Sequence, residues 1–432
     1  MPTSVLPATN LPEANLPAPS ADAQAASQEL SRRIAARIAA AGGWLPFVDY
    51  MDMALHLPGL GYYAGGSHKF GAAGDFVTAP ELTPLFGQAL AKQVAEVLEA
   101  VAANTESAVP IHAAGAANAV PHSGHFIPPV PQKGFPSVTP TLLEVGAGSG
   151  RLAADLLLAL ESLGALPERY GILELSGELR ARQQATLAEC APHLAGRVDW
   201  LDELPEHFSG CVVANELLDA FPTHAVAWRA AGTQERGVVL AADGGFCWSE
   251  RPASGALAAA MAALPASAPY ESEISLAARA WVAEWGHRLE RGALLLIDYG
   301  LPRHELYHQE RDHGTLRCHY RHRAHDNLFW WPGLADITSH VDFTAVAEAG
   351  FDAGLEVLGY TNQASFLINC GIGELLAARQ QAGGEQALRA SGALKVLLAP
   401  GEMGELFKVI ALGRGIATPL LGFARGDRCH AL

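Results

Sequence analysis

Short apolar segments along this chain alternate with longer stretches in which apolar residues recur every three or four positions. The short runs, bounded by glycine, proline or polar residues, predict buried strands, and the longer period predicts helices. The predicted strands lie at 142–145, 170–176, 197–201, 211–214, 293–300, 355–360 and 406–412. Helices are predicted between them, including 177–190 and 273–290. This alternation is typical of an α/β fold with a doubly wound, mostly parallel sheet, here of seven strands.

The N-terminal part of the chain has a different pattern. Residues 1–26 are rich in Pro, Ala, Asn and Ser and predict a disordered tail. Residues 27–103 predict a helical cap and lid, with helices at 27–41, at 44–57 and from 83 or 84 to about 103. Residues 104–140 are rich in Ala, Pro and Gly with almost no charge, and they predict a disordered insertion.

The rest of the chain predicts one large domain over residues 141–412, followed by a tail at 413–432. Apolar and polar residues alternate over about 224–250, on both sides of Ala241–Gly245. That pattern predicts a β-hairpin inserted between the fourth and fifth strands of the parallel sheet.

Thr141–Leu152 is the most informative segment, because three glycines at alternate positions follow the first predicted strand: Gly146, Gly148 and Gly150. Glycine lets the backbone turn sharply and lie against a ligand. A dinucleotide-binding loop needs a small residue where this chain has Arg151. With Glu144 at the end of the strand, the pattern E-x-G-x-G-x-G resembles that of class I S-adenosylmethionine (SAM) methyltransferases, whose acidic residue lies near the methionine end of SAM. An ordinary glycine turn is the alternative.

Acidic and amide side chains follow several of the predicted strands. Ligands of doubly wound sheets bind at the carboxyl ends of the strands, where the following residues fall: Glu144, Glu174, Asn215, Glu216, Asp219 and Asp298. Glu174 ends the second strand, where an acid accepts hydrogen bonds from ribose hydroxyls. We also assign Asp202, just past the third strand, and Asn215 to the cofactor site.

Two loops carry further candidate residues. The first is rich in glycine and aromatic residues and includes Asp75, Thr78 and Glu81, which favours a lid over a pocket, with a structural turn as the alternative. The second, 314–325, includes His322 and is predicted to lie beside the pocket. Its cysteine and histidines lie in one short run among arginines, whose charge opposes a cation, so we expect no metal site.

Composition and charge narrow the function. A formal net charge of −16 over 432 residues argues against nucleic-acid binding and is compatible with a cationic substrate. The six cysteines form no C-x-x-C pair, which predicts reduced thiols in a cytoplasmic protein. No apolar run is long enough for membrane insertion.

Several motifs resemble the MidA-like methyltransferases, whose mitochondrial members are complex I assembly factors that act as protein arginine methyltransferases. The matching segments are Gly61–Tyr63, Gly74–Glu81, Leu143–Gly150, Ala214–Pro222, Ile297–Gly300 and Asp336–Phe343. The resemblance covers about residues 30–412 and implies SAM as cofactor and an arginine-bearing protein as partner. The oligomeric state is not predicted, and a homodimer is compatible with the sequence.

The resemblance and the acidic residues together suggest a chemistry. An arginine guanidinium is a poor nucleophile, and carboxylates that bind it bidentately localise its charge. We expect Glu216 and Asp219 to act as this catalytic pair, with Asp75 and Glu81 assisting from the lid. The alternative is that Glu216 and Asp219 cap the following helix. Two other functions stay open: methylation of a small molecule or of another side chain, and a SAM-binding assembly factor with little turnover.

Overall fold

The computed structural model describes residues 16–65, 78–105, 140–416 and 419–432. The strands in these ranges are β1 (Leu45–Pro46), β2 (Thr141–Val145), β3 (Tyr170–Leu173), β4 (Val198–Leu201), β5 (Phe208–Asn215), β6 (His224–Arg229), β7 (Gly232–Leu240), β8 (Phe246–Pro252), β9 (Tyr270–Ile274), β10 (Leu289–Leu301), β11 (Arg317–Tyr320), β12 (Arg323–His325), β13 (Asp336–Thr338), β14 (Val341–Asp342), β15 (Glu356–Asn362) and β16 (Phe407–Arg414).

The helices in the same ranges are α1 (Ala21–Ala40), α2 (Phe47–His56), α3 (Ala79–Leu82), α4 (Pro84–Thr105), α5 (Arg151–Ser162), α6 (Gly177–Cys190), α7 (Gly255–Ala262), α8 (Leu276–Arg288), α9 (Arg303–Leu306), α10 (Phe343–Asp352), α11 (Gln363–Asn369), α12 (Ile372–Ala382), α13 (Glu385–Leu398) and α14 (Met403–Leu406).

A mostly parallel sheet forms the centre of the protein. Its strand order is β15-β16-β10-β5-β2-β3-β4, and the two-residue strand β14 pairs with β10. Strand β10 is parallel to β5, which is parallel to β2, and β2 and β4 are both parallel to β3. Only β16 within this order runs antiparallel to its neighbours. The predicted α/β class is therefore confirmed, and the carboxyl ends of the parallel strands meet at one edge of the sheet.

Both faces of the central sheet are buried, and the side chains of each strand alternate between them. On β5, Cys211 and Val213 contribute to one apolar cluster, whereas Val212 and Ala214 contribute to the other. Helices α4, α5, α11 and α13 supply the first cluster, and α8 and α10 supply the second. Burial on both faces explains why these strands are continuous apolar runs.

The predicted hairpin is part of a larger structure. Strands β6, β7, β8 and β9 form an antiparallel sheet, to which the N-terminal strand β1 adds a fifth strand. Glu273, predicted to begin a helix, lies instead in β9 and pairs with Ala225. The helix α8 begins later, after Ser275, whose hydroxyl accepts a hydrogen bond from the N–H of Ala278 at 3.2 Å.

The N-terminal boundary also differs from the prediction. Helix α1 begins at Ala21, so the predicted tail over 1–26 is too long. The Ser20 hydroxyl caps the helix by accepting a hydrogen bond from the N–H of Ala23 at 3.3 Å. Residues 1–15 lie outside the described residues, as does 106–139, nearly all of the predicted insertion.

The C-terminal segment packs against the domain instead of forming a free tail. Its backbone is held by α4, because the Leu421 N–H donates to Glu96 at 2.8 Å and the Gly422 N–H donates to the buried Gln93 at 2.7 Å. Phe423 is 5 % exposed, and its ring lies 5.5 Å from that of Phe366. This segment therefore contributes to the core next to α11.

Phe423→Ala should reduce the free energy of unfolding by about 3–5 kcal/mol, the usual cost of truncating a buried aromatic side chain. The same truncation at Leu421, 36 % exposed in the same segment, should cost much less. Urea unfolding of both variants measures the difference. Equal and small effects would show that the C-terminal segment is dispensable.

Candidate functional site

The glycine segment turns sharply at the end of β2. Gly146, Gly148 and Gly150 all have positive φ, at 73°, 53° and 82°. A Cβ atom on Gly150 would lie 2.9 Å from the Cα of Gln183 on helix α6, which leaves no room for a side chain. Strand β2, the glycine turn and helix α5 therefore follow one another as predicted. The glycines of the turn have backbone conformations that other residues rarely adopt.

Gln183 supports this loop, although nothing in the sequence marked it as a site residue. It is fully buried, and its Nε2 donates to the Gly148 carbonyl at 3.2 Å and to the Glu174 carboxylate at 3.1 Å. Its Oε1 accepts from the Trp200 indole at 2.9 Å. A glutamine within a helix carries no local signal of such a role. It links the glycine loop to the acid that follows β3.

Glu174 lies directly after β3 and is 9 % exposed. Its Oε1 accepts a hydrogen bond from the N–H of Ser176 at 2.9 Å, and burial raises the pKa of its carboxyl group. Asp202 is exposed and pairs at 2.6 Å with Arg180, which also binds the carbonyls of Glu174 and Leu201. Arg180 thus joins the ends of β3 and β4. The ribose contact of Glu174 and the cofactor contact of Asp202 stay predictions.

Glu144 is enclosed in the core layer below the loop. It is 2 % exposed and accepts a hydrogen bond from the Tyr170 hydroxyl at 2.6 Å. Burial raises its pKa to about 7, and the hydrogen bond from Tyr170 opposes that shift. A carboxyl group in this position supports the strand end from inside the sheet, and its predicted contact with the methionine end of SAM stays a prediction.

The chain leaves β5 through a sharp turn at Glu216. Its φ of 54° is unusual for a residue other than glycine, and its N–H donates to the Ile297 carbonyl on β10 at 2.8 Å. Glu216 Oε1 accepts two hydrogen bonds, from Asn215 Nδ2 at 3.0 Å and from the Ala79 N–H at 3.3 Å. A short 3₁₀ turn and then strand β6 follow, so Glu216 and Asp219 do not cap an α-helix.

Asp298 holds this turn from below. Its Oδ2 accepts hydrogen bonds from the N–H groups of Leu217, Leu218 and Asp219, at 3.1, 2.8 and 3.2 Å. Its Oδ1 accepts from the N–H of Tyr299 at 2.9 Å, and the residue is 1 % exposed. Asp298 is therefore buried and positions the backbone of this turn, and its predicted role at the ligand-binding edge of the sheet stays a prediction.

Asp219 is 6 % exposed and receives a side-chain hydrogen bond from Tyr299. Burial raises its pKa to about 6. The pKa of Glu216 is raised to about 8, first by desolvation and then by the charge of Asp219. The pKa of Asp298 is also raised, by burial and by both other carboxylates. The turn thus gathers three carboxyl groups that repel one another.

Two acceptor oxygens at this turn have no hydrogen-bond partner among the described residues. They are the buried Oδ1 atoms of Asn215 and Asp219. A buried acceptor without a partner costs about 1–3 kcal/mol. Such atoms are expected where a bound ligand provides the missing donors.

The described part of the predicted lid lies between the glycine loop and the turn after β5. Thr78 precedes helix α3, Ala79 donates to Glu216, and Glu81 accepts a hydrogen bond from the Ser149 hydroxyl. Asp75 lies outside the described residues. The short helix α3 therefore connects the glycine loop to the turn after β5.

Tyr63 and Asp336 were not predicted as site residues, although both lie in family motifs. The Tyr63 hydroxyl donates to the two carboxylate oxygens of Asp336 at 2.9 and 3.0 Å. The charge of Asp219 also contributes to the raised pKa of Tyr63, so this pair adjoins the turn. His322, by contrast, is exposed at the tip of the β11–β12 hairpin. Its proximity to the pocket stays a prediction.

Within residues 16–65, 78–105, 140–416 and 419–432, no group of three His, Cys, Asp or Glu residues could hold a metal ion. No helix in those ranges is long and apolar enough to cross a membrane.

A parallel α/β sheet with this glycine turn, an acid after the next strand and a polar turn after β5 defines the class of SAM-dependent methyltransferases. A family model described as S-adenosyl-L-methionine-dependent methyltransferase matches residues 125–361, more than half of the chain. The chain belongs to this family of MidA-like methyltransferases, and the resemblance seen in its motifs is confirmed.

Two kinds of relatives agree with this assignment. A crystal structure from Burkholderia thailandensis, bound to S-adenosyl-homocysteine, is 48 % identical with a TM-score of 0.86, covering 97 % of this chain and 100 % of that one. Protein arginine methyltransferase NDUFAF7 of Mus musculus is 28 % identical, covering 86 % of this chain and 81 % of its own. The NDUFAF7 protein of Danio rerio is 26 % identical, and the match covers 91 % of this chain and 89 % of that protein.

SAM is the cofactor of this chain, as its family and the structural relative indicate. The site fits that cofactor, because Gly146, Gly148 and Gly150 turn the backbone with positive φ at the end of β2, and Gln183 links this loop to Glu174. The cytoplasmic location stays a prediction.

Gly148→Ala should weaken SAM binding at least about tenfold, because the added Cβ keeps the backbone from lying against the cofactor. Gly164→Ala is the matched control, since Gly164 also has positive φ, 67°, with no atom within 4 Å of an added Cβ. Both changes should cost about 1 kcal/mol of stability. Calorimetry that finds equal SAM affinity in the two variants would remove the cofactor from this loop.

Glu216→Gln should increase the free energy of unfolding of the SAM-free protein by at least about 1 kcal/mol at pH 8. A pKa shift of roughly one unit between the unfolded and folded states corresponds to this free energy. The pKa of the Glu216 carboxyl group is raised from its usual 4.5 to about 8 in the folded protein. The folded state therefore binds this proton more tightly than the unfolded state does. As the pH rises from 4.5 to 8, the wild type loses stability relative to the variant. Melting temperatures at pH 5 and pH 8 measure this difference.

The control for that comparison is Glu310→Gln, because the Glu310 side chain is 90 % exposed. The Glu310→Gln change should shift the melting temperature by the same small amount at pH 5 and at pH 8. A Glu216→Gln gain that is equal at pH 5 and pH 8 would contradict the raised pKa.

Proposed function

We propose that this methyltransferase transfers a methyl group to an arginine side chain of a protein. The observation that supports this most directly is a pair of buried acceptors at the turn after β5, Asn215 Oδ1 and Asp219 Oδ1, beside the carboxylate of Glu216. Neither has a hydrogen-bond partner in the part of the chain that the structure describes. A guanidinium group has five N–H donors, a positive charge and no acceptor. It therefore complements a site made of acceptors with excess negative charge.

The charge of the turn favours a cationic substrate for a second reason. The raised pKa values of Glu216 and Asp219 mean that their ionised forms are unfavourable in the free protein. A bound cation lowers those pKa values by offsetting the repulsion between the carboxylates. A neutral substrate does not remove this cost.

SAM supplies the methyl group in this reaction. The residues expected to hold it are the loop glycines Gly146, Gly148 and Gly150, together with Glu174. We assign Asn215 to the substrate here, although the sequence analysis placed it in the cofactor site. Asn215 Oδ1 and Asp219 Oδ1 accept N–H bonds from the guanidinium and orient one of its nitrogens, since positioning accounts for much of the catalysis in displacements of this type. Localising the positive charge away from that nitrogen restores its nucleophilicity.

A proton must leave the guanidinium nitrogen that is methylated. The carboxylate of Asp219, whose pKa is about 6, is the buried group that can accept it. Glu216 Oε1 accepts hydrogen bonds from the Asn215 amide and the Ala79 N–H. Glu216 therefore fixes the orientation of the Asn215 amide and also adds negative charge to the turn.

The relatives support the same substrate class. NDUFAF7 proteins are named as protein arginine methyltransferases, and the alignment to this chain extends over most of both sequences at 26–28 % identity. Identity at this level supports the reaction class more strongly than the choice of acceptor.

Glu216→Gln should keep SAM affinity and reduce methyl transfer by about two orders of magnitude, as is typical for loss of one catalytic charge. Size and packing are retained, so the change removes the negative charge and alters the donor pattern at Asn215. Labelling of cell lysate with tritiated SAM, followed by analysis for methyl-arginine, measures the effect. SAM binding on the same preparation is the control.

Three outcomes of that labelling separate the candidate functions. Methyl-arginine in wild type, lost in the variant, supports the proposal. Label on another residue or on a small molecule would identify a methyltransferase with a different acceptor. SAM binding with no label at all would leave an assembly factor.

A further inference from the structure

Helix α6 bonds to the glycine loop and to the strand ends through residues at every third position, which are Arg180, Gln183 and Thr186. Residues three apart lie on the same face of a helix. Thr186 Oγ1 donates to the Ser149 carbonyl at 2.7 Å, and Gln183 Nε2 donates to the Gly148 carbonyl at 3.2 Å. One face of α6 therefore holds two successive carbonyl groups of the glycine loop.

Gln183 lies in the middle of this face, and its amide has a donor end and an acceptor end. The side chain is fully buried. Its NH2 group faces two acceptors, the Gly148 carbonyl at 3.2 Å and the Glu174 carboxylate at 3.1 Å. Turning the amide around would place its oxygen against both acceptors, so two hydrogen bonds would be replaced by repulsion. The arrangement of the loop and of Glu174 therefore depends on which way this amide points.

Trp200 on β4 determines the direction of the amide. Its indole Nε1 donates to Gln183 Oε1 at 2.9 Å, and an indole has one N–H and no acceptor. The amide oxygen must therefore face Trp200, which leaves the NH2 group for the loop and for Glu174. Because Trp200 uses its only donor on Gln183, its hydrogen bonding reaches the cofactor site through this amide alone.

The protonation of Glu174 depends on the same contacts. Burial raises the pKa of its carboxyl group, and the hydrogen bonds from the Ser176 N–H and from Gln183 oppose that rise. The charge of Arg180 also lowers this pKa, and Arg180 pairs at 2.6 Å with Asp202 after β4. Loss of the hydrogen bond from Gln183 would therefore leave Glu174 protonated up to a higher pH.

We propose that Trp200 and Gln183 are positioning residues for SAM. The indole sets the direction of the amide, and the amide holds the Gly148 carbonyl and the Glu174 carboxylate in the arrangement that receives the cofactor. The predicted ribose contact of Glu174, on which this role rests, needs an ionised carboxylate, since charged acceptors form the stronger hydrogen bonds. Both residues would act in this way whichever acceptor is methylated.

A packing role alone for Trp200 leads to a different expectation. Trp200 is partly buried and packs against the apolar cluster to which helix α5 contributes. If packing were its only role, a smaller ring would lower the stability of the SAM-free protein and leave the titration of Glu174 unchanged. The pH dependence of cofactor binding separates the two roles, because only the hydrogen-bond relay acts on the carboxylate.

Trp200→Phe keeps a ring and removes the indole N–H. The affinity of the full-length protein for S-adenosyl-homocysteine, which carries the same ribose as SAM, should fall about three- to tenfold at pH 8, the range for one lost hydrogen bond. Between pH 8 and pH 5 the affinity of the variant should begin to fall about half a pH unit or more above that of wild type. Glu144, whose pKa is about 7, is unchanged in both proteins, so calorimetry measures the shift relative to wild type.

Gln183→Glu should give a pH dependence of the opposite sign. The new carboxylate still accepts from Trp200, but at pH 8 its other oxygen repels Glu174 and the Gly148 carbonyl, so affinity should be at least about tenfold below wild type. As the pH falls, the pair of carboxyl groups takes up a proton, which restores a hydrogen bond between position 183 and Glu174. The affinity of this variant should therefore rise relative to wild type towards pH 5.

Trp44→Phe is the matched control, because the Trp44 indole also donates one hydrogen bond, to the Ser249 carbonyl at 3.3 Å, on the antiparallel sheet. It should leave both the affinity and its pH dependence unchanged, and urea unfolding reports the stability of all three variants. Wild-type affinity in Trp200→Phe would overturn the proposal. A weaker affinity with an unshifted pH dependence would also overturn it, since that result indicates loosened packing.

Gln183→Glu retains the size of the side chain, so it tests the relay even if Trp200→Phe folds poorly. An affinity of Gln183→Glu that falls in parallel with wild type from pH 8 to pH 5 would overturn the positioning role.

Discussion

The buried carboxylate of Asp298 fixes the backbone on which the candidate site is built. One oxygen accepts hydrogen bonds from three successive N–H groups after Glu216, and the other accepts from Tyr299. Three amides directed at one atom require the chain to curl after β5, with positive φ at Glu216. Because of this curl, Asn215 and Asp219 present unpartnered oxygens at the same turn, within the described structure.

This arrangement is unfavourable for the free protein and favourable for a cationic ligand. Burial raises the pKa of all three carboxyl groups at this turn, and the charge of Asp219 raises those of Glu216 and Asp298 further. The free energy lost in gathering like charges is recovered when a cation binds between them. Under the proposed function, the charge that lowers the stability of the free protein at this turn is also the charge that binds the substrate.

The site depends on contacts between segments that are far apart in sequence. Ala79 donates to Glu216, Ser149 donates to Glu81, and Gln183 joins the glycine loop to Glu174. Strand β13 supplies Asp336, which accepts a hydrogen bond from Tyr63. The glycine loop and the acidic turn are thus held in one connected framework.

The sequence by itself determined the parallel sheet, the glycine loop, the acids at the strand ends and the family, since these depend on local periodicity and short contiguous motifs. Only the tertiary structure decided that Glu273 lies in a strand, that the C-terminal segment around Phe423 is part of the core, and that Gln183 and Asp336 support the site. These features depend on partners such as Ala225, Gln93 and Tyr63, which no local pattern reveals. Unpartnered acceptors are likewise visible only when every neighbouring donor has been located in space, because a hydrogen bond is a property of two positions.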